Sequence, residues 1–291
     1  MSIVRLPALV LALALAGCAT APQSAAPPAT AAAADDNLNA VAWVQTSAEY
    51  RMLAMQTYRS AAALLDAALA DPDWDALLPE DRLVPARGLA PAVVLDIDET
   101  VLDNSPYQAR LVRDGGEYDE ASWDAWVREE AAGAVPGALA FTRAAAARGI
   151  EVIYVSNRAA HLEAATLANL RALGFPVGEP ERVFYGLGRH IEGCEQHGSE
   201  KGCRRQAVSR DYRVLMQIGD QLGDFATIDA NTPAARAALL EAHADWIGSR
   251  WWALPGPTYG SWEPALFGND WRQPREARRA AKRAALQFSE G

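Results

Sequence analysis

A short acidic motif that directly follows an apolar run constrains the fold of this chain more than any other feature. Residues 91–95, Pro-Ala-Val-Val-Leu, predict a buried β-strand, and Asp96 and Asp98 follow it two residues apart. Side chains at this spacing in an extended backbone point to the same side, and α/β sheets bind ligands at the carboxyl ends of their strands. Two buried carboxylates this close repel each other unless a cation joins them. The motif therefore predicts a site for chemistry, with a divalent metal as the obvious partner.

Alternating strand and helix patterns extend this prediction to a parallel sheet. The predicted strands are 92–95, 151–155, 182–185 and 213–218. The helices predicted to separate or follow them are 137–148, 159–173 and 233–244. Mostly apolar strands that alternate with helices indicate an α/β fold, a Rossmann-like parallel sheet covered by helices on both faces.

Two further segments are predicted to add helices to this sheet. Helical spacing of apolar residues predicts one long helix or two over 37–70, an N-terminal helical extension. An insert at about 105–135 follows the first strand and is interpreted as a small helical cap, because such inserts often cover active sites. Asn104, Tyr107 and Trp123 are interpreted as structural. The main domain is predicted to span 36–270.

The C-terminal stretch predicts a basic helix over 271–291. Its six basic residues, interspersed with alanines, are Arg272, Arg275, Arg278, Arg279, Lys282 and Arg283. A solvated terminal helix is the simpler interpretation, and contact with an anionic membrane or lipopolysaccharide is the alternative. The net charge of −10 argues against a nucleic-acid polymer as partner.

The N-terminus predicts export and a lipid anchor. Residues 1–17 combine a basic start with an apolar run that is too short to span a membrane. Leu15-Ala-Gly-Cys18 resembles a bacterial lipoprotein signal, which implies lipid on Cys18, and Ala19 does not signal inner-membrane retention. A plain signal peptide is the alternative. Residues 18–35 are rich in Ala and Pro and predict a tether. The expected location is the outer membrane, facing the periplasm or the cell surface.

Two further cysteines, Cys194 and Cys203, lie in one short segment. In an oxidising compartment a disulfide between them is the default expectation. A zinc site that adds His190 and His197 is a second interpretation, because four potential ligands fall within 14 residues. Free thiols are the third.

Four segments carry polar side chains in an order that suits phosphoryl transfer. They are Asp96 with Asp98, Ser156-Asn157-Arg158, Lys201, and Asp220 with Asp224. A carboxylate nucleophile can form a phosphoaspartate, and a second carboxyl can protonate the leaving oxygen and then activate water. Mg²⁺ prefers oxygen ligands such as carboxylates. Hydroxyl, N–H and ammonium groups can hold the phosphoryl oxygens and neutralise charge in the transition state.

These motifs together resemble those of the haloacid dehalogenase superfamily. More narrowly, residues 96–105, 154–158 and 219–225 are similar to the class C acid phosphatases, and the similarity runs over about 38–270 and includes the lipobox. The resemblance implies a Mg²⁺-dependent acid phosphatase that hydrolyses phosphomonoesters, with 5′-nucleotides and nicotinamide mononucleotide as substrates. It also implies an outer-membrane lipoprotein and a homodimer.

The resemblance assigns catalytic and metal-binding roles to the acidic residues. It implies that Asp96 is the nucleophile and a metal ligand. Asp98 would be the general acid and base, with its backbone carbonyl on the metal. Asp220 would be a further metal ligand, and Asp224 would hold metal-bound waters.

The resemblance also assigns the residues that contact the substrate. Ser156, Asn157 and Lys201 would bind phosphate, and Tyr118 and Tyr259 would sandwich the base or ring of the substrate. Stacking on aromatic side chains tolerates different bases, so a broad range of nucleotides is expected.

Two other functions are compatible with parts of the sequence. A phosphotransferase would pass the phosphoryl group to an alcohol, although Asp98 favours hydrolysis by supplying an acid and base. A non-enzymatic surface lipoprotein for adhesion or haem capture would keep the anchor without needing the four motifs. Haem capture needs an axial ligand, and no histidine stands out for that role.

Overall fold

The computed structural model describes residues 35–289, and in this range the first acidic motif follows the central strand of a sheet. The strands are β1 (Ala90–Leu95), β2 (Leu102–Asp103), β3 (Gly133–Ala134), β4 (Glu151–Ala159), β5 (Phe184–Leu187), β6 (Tyr212–Gly219) and β7 (Trp251–Ala253). The helices are α1 (Leu38–Thr46), α2 (Ala48–Ala70), α3 (Ser105–Asp114), α4 (Glu120–Arg128), α5 (Ala138–Ala146), α6 (Glu163–Leu173), α7 (Pro180–Val183), α8 (Gly202–Asp211), α9 (Pro233–Ala242) and α10 (Arg275–Ala284).

Between residues 35 and 289, no helix combines the length and the apolar character needed to cross a bilayer. The predicted signal peptide, Cys18 and all but the last residue of the predicted tether lie outside the described residues.

Five strands form one parallel sheet in the order β5-β4-β1-β6-β7. Alternate residues of β1 pack on opposite faces. Val93 and Leu95 belong to a core that includes side chains of α2, α5 and α6, whereas Ala92 and Val94 pack with side chains of α8. Both faces are buried, which explains why β1 is an uninterrupted apolar run. The predicted α/β fold with a parallel sheet covered by helices is confirmed.

The N-terminal extension and the cap flank the carboxyl end of β1. The extension consists of two helices, because Ser47 leaves the helical conformation and its side chain caps α2 by accepting from the Tyr50 N–H. The Tyr58 hydroxyl of α2 donates to the Thr100 carbonyl at 2.7 Å, so this helix supports the loop after β1. The cap contains α3 and α4, and the antiparallel β2–β3 pair closes its base.

Several predicted boundaries are wrong, each for a local reason. The strand predicted at 182–185 begins only at Phe184, because Pro180 occupies the first position of the short helix α7. Five elements were not predicted: β2, β3, β7, α7 and α8. The first four have only two to four residues each, and the amphipathic pattern of α8 is weak because buried arginines occupy its core-facing side.

The C-terminal helix is shorter than predicted and is not simply solvated. It spans Arg275–Ala284, and its Arg278 side chain is buried. Acidic residues from distant segments pair with it: Arg278 with Glu117, Arg279 with Asp36, and Lys282 with Glu263. A solvated helix was expected because these partners lie far away in sequence.

Candidate active site

The parallel pairing of β1 with β6 brings the first and last acidic motifs together. Leu95 pairs with Ile218, and the backbone N–H of Asp96 donates to the Ile218 carbonyl at 2.9 Å. Asp96 and Asp220 therefore leave neighbouring strands at the same edge of the sheet, as the topology of parallel sheets requires.

Asp96, Asp220 and Asp224 form an acidic cluster, in which one side-chain oxygen of each lies within 4.8 Å of the others. A helical turn after β6 directs Asp224 back towards the strand, where its Oδ2 accepts from the Gln221 N–H at 2.8 Å. A Cβ atom at Gly219 would overlap the Asp224 side chain, so glycine is required for this return. The resemblance implies that Asp224 holds metal-bound waters, and in the structure its carboxylate lies within the acidic cluster.

Lys201 is the cation of the acidic cluster. Its ammonium group donates to Asp96 Oδ1 at 2.5 Å and to Asp224 Oδ1 at 2.6 Å, and the side chain is buried. Lys201 directly precedes α8, so the start of that helix fixes its backbone. Burial alone would lower the pKa of Lys201, but Asp224 and Asp96 outweigh burial and raise the pKa above its usual value.

The acidic cluster fits a divalent cation. Three buried or half-buried carboxylates face one ammonium group, so negative charge is in excess. Burial, opposed by Lys201, raises the pKa of Asp96 to about 7. Burial followed by repulsion from Asp224 raises the pKa of Asp220 well above its usual value. Oxygen ligands at this spacing are the donor set that hard cations such as Mg²⁺ prefer, and a cation would relieve the repulsion.

Asp98 lies beside the acidic cluster, and two protein donors hold one of its carboxylate oxygens. Asp98 Oδ1 accepts from Arg158 Nε at 2.8 Å and from Asn104 Nδ2 at 2.9 Å. Within residues 35–289, its Oδ2 has no hydrogen-bond partner, and Asp98 lines the cavity described below. The two donors fix the carboxyl group through Oδ1.

The hydrogen bonds from Arg158 and Asn104 to Asp98 were not predicted from the sequence. Asn104 was interpreted as purely structural, and Arg158 was noted only as the end of a motif. The Asn104 Oδ1 atom also accepts from Arg158 Nη2 and Trp126 Nε1, which links Asp98 to the cap. Arg158 is 1% exposed, so its charge is committed to Asp98. The polar Asn104 two residues after an apolar pair was the only available signal.

Tyr259 is linked to the site by a hydrogen bond to the buried carboxyl group of Glu99. Its hydroxyl donates to Glu99, which also accepts from the Asn104 N–H at 2.8 Å. Glu99 adopts a left-handed conformation, with φ of 59°. Burial and then repulsion from Asp98 raise the pKa of Glu99 to about 8. Sequence reasoning did not single out Glu99, which lies inside the first motif.

The residues predicted to bind phosphate occupy different environments. Asn157 is exposed and lines the cavity, and its Oδ1 accepts from Arg204 Nη2 at 2.7 Å. Ser156 is fully buried, and its hydroxyl oxygen accepts from the Arg158 N–H at 3.1 Å. Among the described residues, those that line the cavity do not include Ser156. Lys201 lines the cavity from within the acidic cluster.

Cys194 and Cys203 form a disulfide with an S–S distance of 2.04 Å. The alternative interpretation, a zinc site with His190 and His197, is wrong because both thiols are used in this bond. Cys203 follows Lys201 by two residues and belongs to the first turn of α8. The disulfide therefore ties the preceding loop to the helix that begins beside Lys201.

A cavity of about 980 Å³ opens above the acidic cluster. Its inner end includes Asp96, Asp98 and Lys201. Its outer wall consists of the cap loop 115–118, the segment 257–264 and α10. Tyr118 and Tyr259, which the resemblance assigns to substrate stacking, both line this cavity, and Trp123 and Trp271 add further aromatic surface. The volume suits a small organic molecule.

The sequence pattern and the architecture match a family of known proteins. The family model described as "HAD superfamily, subfamily IIIB (Acid phosphatase)" matches residues 12–262. Two structures of the class C acid phosphatase from Bacillus anthracis, one with tungstate bound, have TM-scores of 0.75 and 0.76. They are 30% and 31% identical to this chain, and the matches cover 87% of this chain and 98% of theirs.

Plant proteins show a more distant similarity. A stem 31 kDa glycoprotein of Glycine max is 28% identical over 57% of this chain, and acid phosphatase 1 of Solanum lycopersicum is 26% identical over 45% of it. The matches span 58% and 51% of those curated relatives. The resemblance to class C acid phosphatases is confirmed by the bacterial structures and the family model. The chain therefore belongs to the acid phosphatase family, subfamily IIIB of the HAD superfamily.

Proposed function

We propose that this protein is a Mg²⁺-dependent acid phosphatase that hydrolyses phosphomonoesters, principally 5′-nucleotides and nicotinamide mononucleotide, through a phosphoaspartate. The observation that carries the proposal is the convergence of the acidic cluster, Lys201 and Asp98 at the inner end of one cavity. Nucleophile, cation ligands and a proton-transfer group are the parts that two-step phosphate ester hydrolysis needs.

Asp96 is the nucleophile in this proposal. One of its carboxylate oxygens attacks phosphorus and forms a bond to it while the bond from phosphorus to the ester oxygen breaks. Lys201, 2.5 Å from Asp96 Oδ1, orients that carboxylate and balances the negative charge that gathers around the phosphoryl oxygens. Asp96, Asp220 and Asp224 would hold a Mg²⁺ ion, which would neutralise charge on the carboxylates and the phosphoryl group.

Asp98 moves the protons. In the first step its Oδ2 gives a proton to the leaving ester oxygen, which departs as an alcohol. In the second step the resulting carboxylate takes a proton from water, the water oxygen attacks phosphorus, and the phosphoaspartate bond breaks to release phosphate and Asp96. Arg158 and Asn104 hold Oδ1 throughout. The first step requires protonated Asp98, which favours acid pH.

The cavity supports the choice of substrates. Tyr118 and Tyr259 belong to its outer wall, where they can stack on a base or nicotinamide ring. The tungstate bound in one Bacillus anthracis relative is a tetrahedral oxyanion like phosphate, which supports phosphate recognition here. Hydrolysis is preferred to transfer because Asp98 can activate water.

We also propose the outer membrane as the location of this enzyme, with lipid on Cys18 and the catalytic domain held by the tether. This proposal rests on Leu15-Ala-Gly-Cys18 in the sequence. A homodimer is proposed on the family resemblance alone. Labelling with a radioactive fatty acid in a bacterial host tests the anchor, since Cys18→Ser should abolish incorporation of label.

The decisive test compares the unmodified protein with Asp96→Asn. We expect the unmodified protein to release phosphate from 5′-nucleotides and nicotinamide mononucleotide at mildly acid pH with Mg²⁺, and to stop with a chelator. Asp96→Asn should lose at least about a thousandfold in kcat, because a carboxamide cannot replace the nucleophile. Asp66→Asn, which alters a distant exposed carboxylate, is the matched control. Comparable turnover by Asp96→Asn would exclude the phosphoaspartate.

A further inference from the structure

The loop over 115–118 brings Tyr118 into the cavity but has little support from its own cap. The loop starts at Gly115, which follows the last residue of α3 and has a φ of 65°, and α4 begins only at Glu120. The Tyr118 side chain is 60% exposed. Its aromatic neighbour inside the cap is Trp123, with ring centroids 6.3 Å apart. The position of the Tyr118 ring therefore depends on what holds the loop from outside.

The C-terminal helix α10 holds this loop. Arg278 Nη2 donates to both carboxylate oxygens of Glu117, at 2.7 and 2.8 Å, and Arg275 Nη1 donates to the Gly115 carbonyl at 3.4 Å. Throughout residues 35–289, these are the only hydrogen bonds that reach 115–118 from beyond the cap. Glu117 directly precedes Tyr118, so the pair with Arg278 acts on the neighbouring backbone.

Arg278 is itself fixed. Its side chain is 9% exposed, its Nε donates to the Gln273 carbonyl at 3.1 Å, and its guanidinium lies 5.2 Å from the Trp271 ring centroid. A planar guanidinium with these partners loses little freedom when it binds a carboxylate, and such pairs are the stronger class of charge-assisted hydrogen bond. A buried, oriented cation on α10 is therefore aimed at the loop that carries Tyr118.

We propose that Arg278 is a positioning residue for substrate binding, which acts through Glu117 to hold Tyr118 ready to stack on the ring of the substrate. A ring that is already in place binds without first losing its freedom, which improves affinity. The inference rests on the proposed function, because it assumes an aromatic phosphomonoester in this cavity. It adds α10, which lies beyond the residues matched by the family model, to the substrate-binding elements.

The test measures Arg278→Gln with two esters at saturating Mg²⁺. Adenosine 5′-monophosphate carries a ring, and glycerol phosphate carries none. We expect KM for adenosine 5′-monophosphate to rise about two- to tenfold, the range for ordering one released side chain, while kcat stays within about twofold. KM for glycerol phosphate should not change, because that ester has no ring to stack.

Variants of the partner separate a positioning role from general damage. Glu117→Gln should raise KM for adenosine 5′-monophosphate as Arg278→Gln does, and the double variant should be no worse than either single one. Because Glu117 is half exposed, Glu117→Gln should fold even if Arg278→Gln does not. Arg283→Gln is the matched control, since it removes the same charge from an exposed position of α10 and should change neither KM.

Two results would overturn the inference. The first is an equal rise in KM for both esters, which would mean that α10 supports the cavity as a whole. The second is an unchanged KM for adenosine 5′-monophosphate in Glu117→Gln. If the unmodified protein hydrolyses both esters, the proposed function stands whatever these variants do. If it hydrolyses neither, the proposed function and this inference fall together.

Discussion

The acidic cluster and the outer wall of the same cavity differ in what holds their residues in place. Asp96 and Asp220 follow the carboxyl ends of neighbouring sheet strands, and buried Lys201 joins two of the cluster's carboxylates. The outer wall is assembled from the cap loop, a late segment and α10, and its ion pairs are partly exposed. Charges of the cluster are desolvated and interdependent, whereas most of those in the wall are screened by solvent.

The two regions should therefore tolerate substitutions to different extents. The sheet fixes the backbone of the cluster, so altering one side chain leaves its neighbours in place with unbalanced charge. The wall depends on contacts between side chains from distant segments, so single changes there should mainly alter affinity. Three experiments test this distinction.

Lys201→Met should have the largest effect. It leaves the Asp96 and Asp224 carboxylates buried without their cation, and losing one partner of such a group destabilises proteins by about 3–5 kcal/mol. We expect kcat to fall at least about a hundredfold, because a donor to the reacting groups is lost. Urea denaturation without metal and steady-state kinetics with Mg²⁺ measure the two effects.

Arg279→Met in the wall is the matched control for this variant. Its pair with Asp36 spans 2.9 Å, and the two side chains are 25% and 41% exposed. Exposed pairs contribute less than about 1 kcal/mol. Equal losses of stability in Lys201→Met and Arg279→Met would contradict the distinction between the two regions.

Gly219→Ala should have an intermediate effect, on activity more than on stability. The added Cβ would overlap the Asp224 side chain and displace that carboxylate from the acidic cluster. A displacement of about 1 Å in an active site lowers turnover about a hundredfold, so we expect a 10- to 100-fold loss in kcat. Gly223→Ala is the control, because a Cβ there meets nothing within 4 Å. Full activity of Gly219→Ala would show that Asp224 need not hold this position.

The third experiment measures how pH changes the stabilisation by Mg²⁺. Burial raises the pKa of Asp96 from 3.8 to about 7 in the metal-free protein. Between pH 4 and pH 7, roughly the two pKa values, the folded state then binds more protons than the unfolded state. The free energy of unfolding of the metal-free protein is therefore highest below about pH 4 and falls as pH rises towards about 7. A bound cation would compensate the buried negative charge of ionised Asp96, so Mg²⁺ should stabilise the protein more at pH 7.5 than at pH 5.

The expected size follows from mass action. Mg²⁺ at about 100 times its dissociation constant contributes about 2.7 kcal/mol, or roughly 5–10 °C in Tm for a domain of this size. Thermal melts with Mg²⁺ or a chelator at both pH values measure the shift, and Asp220→Asn should reduce it. A shift in Tm that is equal at the two pH values would disprove this electrostatic account.

The reliability of sequence-based prediction follows the same division. The strand before Asp96 and the strand before Asp220 were found from local patterns, because strands that are buried on both faces must be apolar throughout, whereas the tyrosines of the cavity came only from the family resemblance. Boundaries failed where one residue decides the local conformation, as Pro180 does before β5. The role of Asn104 and Arg158 was not predicted, because each of them acts through a hydrogen bond to Asp98, which no local pattern records.

Local sequence patterns were sufficient to predict the parallel sheet, the family, and the order of the first acidic motif, Lys201 and the last acidic motif along the chain. These are encoded by residues that are close together in sequence and follow predicted strands. The tertiary structure alone decided that Asp224 joins the acidic cluster directly, that Arg158 and Asn104 hold Asp98, and that α10 supports the loop of Tyr118. Those features arise from charges far apart in the chain, and such charges become partners only when folding brings them together and removes water.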